Sequence, residues 1–252
     1  AAMVALGELE PVDFAVHSDT TWERSETYRF AEKWTSWLEE RGVKIVTTTD
    51  PGAHGQIKDE WEGTFIPAYT LDDDGNFGML RRQCTGRWKI TPMRRYIASE
   101  LKQRGLSKTP GIVEQWLGIT LDEWQRSKDS DVKYVEHRFP LLEKKFTRAD
   151  CILWLREHDL PSTGKSSCTF CPYHNAVTWE RMTRNDGPDW EQAVWVDQKI
   201  RNERPPYPLF VHPARKPLPE AVSIPEDFGY EQLSFLDSND FDAECDSGHC
   251  FL

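Results

Sequence analysis

The chain has 252 residues, of which 38% are hydrophobic and 12% aromatic, and a formal net charge of −11. This is a globular composition, which excludes a disordered chain, and the length supports one large domain, alone or with an appendage. Nine net negative charges fall after Lys216, where no Lys or Arg follows, so the first 216 residues carry only −2. The balance excludes a wholly basic nucleic-acid binder and leaves room for a local basic groove.

No apolar run is long enough to predict a transmembrane helix, and no basic-then-apolar leader opens the chain. The expectation is a cytoplasmic protein with no membrane partner.

In chain order, residues 1–9 read as the last turns of a helix closing near Gly7. Residues 12–17 read as a buried strand that ends in the polar loop Ser18-Asp19-Thr20-Thr21. A helix is predicted over 26–40, with Tyr28, Phe30, Trp34 and Trp37 among its apolar positions and Gly42 ending it. A second strand follows at 43–47. Strand, helix, strand at this spacing predicts an α/β fold, a parallel sheet flanked by crossover helices.

Residues 49–80, with Pro51, Gly52, Gly55, Gly63 and the turn Asp72-Asp73-Asp74-Gly75, read as a long loop placed to cover a site. A helix is predicted over 91–104 with Pro92 in its first turn, then a strand over 113–119 and a helical turn over 121–126. Residues 147–158 read as a helix capped by Thr147 or by the turn through Asp150. Residues 178–201 read as largely helical, interrupted near Gly187-Pro188. Seven prolines then mark 205–252 as extended segments and turns rather than a second core. The organisation expected is a main domain over 1–204, which includes the cysteine site, and a Pro-rich acidic extension over 205–252.

Six cysteines in a chain without an export signal favour metal ligation over a disulfide framework. Cys168-Thr169-Phe170-Cys171-Pro172 brings two thiols to one centre. Alone, the pair fits a redox dithiol, half a zinc site or half an iron–sulfur site. Adding Cys84 and Cys151 makes four thiolates, which suit zinc or a cuboidal iron–sulfur cluster. The plainer reading of Cys151 is a small buried residue. Cys245 and Cys250 lie near the C-terminus, where they fit a delivered thiol, a second metal pair or two surface residues.

Ser18, Asp19 and Thr20 follow the first strand, and ligands of parallel sheets sit beyond the carboxyl ends of strands. A carboxylate there suits Mg²⁺ or a ribose hydroxyl, and the hydroxyls suit phosphate. Ordinary helix capping is the alternative. Arg81, Arg82, Arg87, Lys89, Arg94 and Arg95 make a basic patch suited to phosphates, and Arg126 and Lys128 are further anion candidates. Solubility charge is the plainer reading.

Taken together, five segments resemble the phosphoadenosine phosphosulfate reductase-like branch of the adenine nucleotide alpha hydrolases, the PP-loop ATPases. They are His17-Ser18-Asp19-Thr20-Thr21-Trp22 with Glu26-Thr27; Cys84-Thr85 with Lys89; Gly118-Ile119-Thr120-Leu121-Asp122-Glu123 with Arg126; Ala149-Asp150-Cys151; and Ser167 through His174. The resemblance covers most of residues 1–215.

It implies a parallel sheet flanked by helices, binding ATP or another adenine nucleotide at the sheet's carboxyl edge. Asp19 and Thr20 would hold the nucleotide, and Arg126 would contact phosphate or sulfate. The family's pyrophosphate loop is not in the sequence, and it is expected upstream of residue 1.

The function this implies is an ATP-dependent iron–sulfur enzyme of sulfur transfer or nucleic-acid modification, which activates an acceptor oxygen by adenylylation. A [4Fe-4S] cluster is expected on Cys84, Cys151, Cys168 and Cys171, with zinc as the alternative and Mg²⁺ accompanying the nucleotide. One alternative is a thiol-dependent reductase of adenylylated sulfate using Cys245 or Cys250. Another is a non-enzymatic nucleotide-binding or sensor subunit. The partners expected are an adenine nucleotide, RNA or DNA at the basic patch, and a sulfur donor or dithiol reductant protein.

Overall fold

The computed structural model describes residues 1–50, 66–71, 77–161 and 166–222. The chain divides into two compact units, Ala1–Arg95 with Gly164–Leu252, and Tyr96–Thr163.

In the first unit, the short helix α1 (Ala2–Ala5) precedes strand β1 (Ala15–Asp19), helix α2 (Ser25–Glu39) and strand β2 (Ile45–Thr49). β1 and β2 pair in parallel, with Ser18 opposite Thr48 and Asp19 opposite Thr49. The α2 crossover makes this pairing possible, since parallel neighbours need a long connection.

Helix α2 ends as its sequence predicts. Gly42 adopts φ +79°, which costs glycine little, and the Val43 amide donates to the Leu38 carbonyl at 3.0 Å. Its start is set from far away. The Asp189 carboxylate accepts the Ser25 amide at 2.9 Å and the Ser25 hydroxyl at 2.6 Å, satisfying a helix-start donor that no local side chain serves.

Strands β3 (Tyr69–Leu71), β4 (Phe77–Met79) and β7 (Leu209–Phe210) form an antiparallel sheet in the order β4-β3-β7. The sequence did not predict these strands, because runs of two or three residues are too short for a period-2 pattern. Helices Ala176–Asn185 and Gly187–Ile200 break at the Gly-Pro pair as predicted. Trp22, Trp88, Phe170 and Trp179 are fully buried with Met182, Val196 and Ile200. Each such side chain contributes about 1.5–3 kcal/mol.

Leu209, Val211 and Leu218 belong to the same core and are completely buried. Residues 205–222 therefore pack into the first unit. One carboxylate fastens them. Asp197, on the Gly187–Ile200 helix, accepts the amides of Val211 and Leu218 at 3.0 Å each and pairs with Arg201.

His212 is also buried. Its Nδ1 accepts the Ala214 amide at 3.1 Å, and burial pushes its pKa from 6.5 down to about 4. Between those values the unfolded chain binds a proton that the native state refuses. The stability this group contributes is therefore complete above about pH 6.5 and is lost as pH falls towards 4, on the order of 2 kcal/mol. Urea unfolding at pH 7 and pH 4.5 should show the decline, and His212→Gln should lessen it. An identical pH dependence in the variant would assign the decline to other groups.

In the second unit, β5 (Val113–Trp116) and β6 (Val135–Arg138) pair in parallel, Val113 opposite Val135 and Trp116 opposite Arg138. Arg138 lies 4.7 Å from the Trp116 ring centre and donates to Glu143 at 2.9 Å. The Arg148–Glu157 helix opens on a reciprocal capping box. The Thr147 hydroxyl accepts the Asp150 amide at 3.2 Å, and the Asp150 carboxylate accepts the Thr147 amide at 2.8 Å.

The architecture is thus mixed α/β, with small parallel sheets flanked by helices. No helix among the described residues is long and apolar enough to cross a membrane.

Candidate functional site

The parallel pair β1–β2 directs its carboxyl ends to one edge, and three chain segments meet there. The first is the β1 exit, Ser18 to Glu23. The Ser18 hydroxyl donates to the Lys89 carbonyl at 2.9 Å and lies 3.0 Å from Thr48 Oγ1. Asp19 Oδ1 accepts the Thr21 amide at 2.7 Å and the Tyr28 phenol at 2.9 Å. Thr21 itself sits at φ +62°, a strained conformation for a β-branched residue and one that concentrates at functional sites.

The second segment is a π-helical turn, Thr85–Ile90, running directly into the Thr91–Gln103 helix. Such turns are frequent at functional sites. It carries Lys89 to the edge, where its ammonium stands 3.4 Å from the Glu23 carboxylate. Arg87 lies half-buried on the same turn.

The third segment is the Cys168–Cys171 turn, zipped onto the β1 exit by backbone bonds. The Thr169 amide donates to the Trp22 carbonyl at 2.8 Å, and the Arg24 amide donates to the Ser167 carbonyl at 3.1 Å.

These segments enclose a buried polar chain. Thr20, almost fully buried, donates its hydroxyl hydrogen to Glu23 Oε1 at 3.2 Å and lies 3.3 Å from Cys168 Sγ. The Thr20 oxygen thus joins the Glu23 carboxylate to the Cys168 sulfur. Glu23 also accepts the Ser166 hydroxyl at 3.0 Å.

Burial, with Glu23 adding, pushes the Cys168 thiol well above its ordinary pKa, and Lys89 opposes this. Burial works against the Lys89 ammonium, but Glu23 and then the Cys168 sulfur outweigh it and hold its pKa above the usual lysine value. Burial likewise raises Cys84, against Arg82 and Lys89. The arrangement holds a proton at sulfur and sets the Thr20 hydroxyl between that sulfur and a carboxylate paired with an ammonium.

Of the residues singled out in the sequence, Ser18, Asp19, Thr20 and Lys89 come to this edge together with Cys168. Cys84 and Cys168 pack against the same core cluster, and the Cys171 amide donates to the Cys168 carbonyl at 3.1 Å. Two candidates lie in the second unit. Arg126 is buried and ion-paired with Glu123, and Cys151 sits beside Asp150, Asp122 and Arg148. Cys245 and Cys250 fall outside the described residues, as do residues 51–65 and 72–76 of the expected covering loop.

One expectation is corrected. Among the described residues, no group of three or more His, Cys, Asp or Glu side chains is placed to hold a metal ion. Cys84, Cys151, Cys168 and Cys171 therefore do not form the expected [4Fe-4S] centre, nor its zinc alternative. The physical reason is distribution. Cys151 belongs to the Tyr96–Thr163 unit and the other three cysteines to the first unit, where Cys168 Sγ lies against Thr20 Oγ1 at 3.3 Å.

Two site residues carry no signal of their own in the sequence. Glu23 and Ser166 look like ordinary loop residues, yet they are joined at 3.0 Å across 143 positions. His174, the last residue of the Ser167–His174 segment, has its Nε2 2.8 Å from the Cys168 carbonyl and so donates to it. Comparison with protein-family models, with curated proteins and with solved structures finds no match to this chain.

Proposed function

We propose that this chain is an adenine-nucleotide-dependent enzyme of sulfur transfer or nucleic-acid modification, related to the phosphoadenosine phosphosulfate reductase-like PP-loop ATPases. One observation carries the reading. A parallel strand pair ends in Asp19, whose Oδ1 is aimed by two fixed donors, beside a buried thiol chain. Asp19 Oδ2 is the acceptor for a ribose hydroxyl, and Lys89 and Arg87 supply positive charge for phosphate. In the reaction, the nucleotide converts an acceptor oxygen into an adenylate with loss of pyrophosphate. A sulfur nucleophile then forms the new bond and displaces AMP.

Titration calorimetry of the full chain with ATP and with adenosine 5′-phosphosulfate tests this. Saturable binding of at least one nucleotide is expected. Asp19→Asn keeps an acceptor for Thr21 and Tyr28 but loses the charge, so affinity should fall by about 10- to 100-fold. Preference for the phosphosulfate would favour the reductase reading over acceptor adenylylation. Absence of saturable binding to both nucleotides would overturn the proposal.

A further inference from the structure

Among the described residues no third ligand side chain joins the Cys168-x-x-Cys171 pair in a metal-binding group, and the geometry of the pair suits dithiol chemistry. The Cys171 amide bonds to the Cys168 carbonyl, closing a four-residue turn. Such a turn brings its end Cα atoms within about 7 Å, inside the reach of a disulfide.

The two residues between the cysteines hold the turn in place. Phe170 is buried with its ring edge-on to Trp22, centroids 5.6 Å apart. Thr169 is completely buried, with its amide on Trp22 and its hydroxyl donating to Gln192 at 2.8 Å. His174 fixes the Cys168 carbonyl from the other side. Both cysteines are thiols in the structure rather than disulfide-bonded. A pair so held loses little further chain freedom on closing, which favours an intramolecular disulfide over two mixed ones.

We propose that Cys168 and Cys171 form a redox-active dithiol that closes to a disulfide by exchange with a glutathione-type disulfide. One cysteine sulfur, having lost its proton, attacks the external disulfide, forming a mixed disulfide and releasing one external thiol. The second cysteine sulfur, also deprotonated, attacks the first, forming the internal S–S bond and releasing the second external thiol. The protein loses two protons and two electrons, and the external disulfide gains both.

The couple also reads out on the site. Closing the disulfide replaces the thiol 3.3 Å from Thr20 by a disulfide sulfur, while Thr20 keeps its bond to Glu23. The inference does not depend on nucleotide binding.

The test equilibrates the full chain with oxidised and reduced glutathione at several ratios, traps thiols by alkylation, and maps tryptic peptides by mass spectrometry. Residues 166–181 form one tryptic peptide holding both cysteines and no others. The expected result is a loss of about 2 Da in that peptide under oxidising ratios, reversed by reduced glutathione, with no alkylation at either position. Cys168→Ser keeps a hydrogen-bonding group beside Thr20, and Cys171→Ser leaves that contact untouched. In each, the remaining cysteine should instead carry glutathione or an alkyl group. Cys84→Ala should leave the loss unchanged. Two outcomes would overturn the inference: a peptide fully alkylated at every ratio, or a disulfide joining Cys84 to either member of the pair.

Discussion

Replacing Asp197 by Ala should destabilise the protein by roughly 3–5 kcal/mol, a large fraction of an ordinary domain's stability. The carboxylate is completely buried and serves three partners. Removing it leaves the amides of Val211 and Leu218 without their acceptor, and each buried orphan costs about 1–3 kcal/mol. It also leaves Arg201 without its carboxylate. That guanidinium lies 3.8 Å from the Phe210 ring centre, and burial already lowers its pKa. Leu209, Val211 and Leu218 are held through these bonds, so residues 205–222 should be the first to open. Urea unfolding should show a lower midpoint, and hydrogen exchange should show early exposure of the Val211 and Leu218 amides. Asp197→Asn keeps an oxygen acceptor and should cost less. A stability within 1 kcal/mol of the parent for Asp197→Ala would show that the staple contributes little.

Glu23→Ala should have the second largest effect, about 2–4 kcal/mol. Glu23 accepts from Thr20 and Ser166 and pairs with Lys89, all at a nearly completely buried carboxylate. Its loss takes the carboxylate partner from an ammonium and two hydroxyls. Glu23→Gln separates charge from packing. The amide keeps an acceptor for Thr20, but the negative charge beside Cys168 is gone while Lys89 remains. Glu23 raises the Cys168 thiol, so the variant's thiol should ionise at lower pH than the parent's. The pH dependence of alkylation at Cys168, followed by peptide mass spectrometry, reads this directly. An unchanged profile would mean that burial alone sets the thiol and that the Glu23–Cys168 coupling is absent.

The sequence was legible where the information is local. Gly42 ends α2 because only a few residues around it decide the left-handed turn. Thr147 and Asp150 announce the Arg148–Glu157 helix because a capping box needs only residues three apart. The strand-helix-strand order of β1, α2 and β2 followed from period and spacing, and it places Ser18, Asp19 and Thr20 at a carboxyl edge.

Distant partners were not legible. Asp189 caps a helix that starts 164 positions earlier, and Ser166 completes Glu23 across 143. The four cysteines show the same limit. Sequence spacing makes Cys84, Cys151, Cys168 and Cys171 equal candidates for one centre, because ligation requires closeness only in space. The tertiary structure instead assigns Cys151 to a second unit and sets the Cys168 sulfur against Thr20. By itself, then, the sequence determined the β1–α2–β2 order, the helix ends at Gly42 and Thr147 and the motif at the end of β1, all set by backbone preferences over a few neighbours. Only the tertiary structure decided which polar groups share a buried site, because desolvation selects partners by position in space and is blind to their order along the chain.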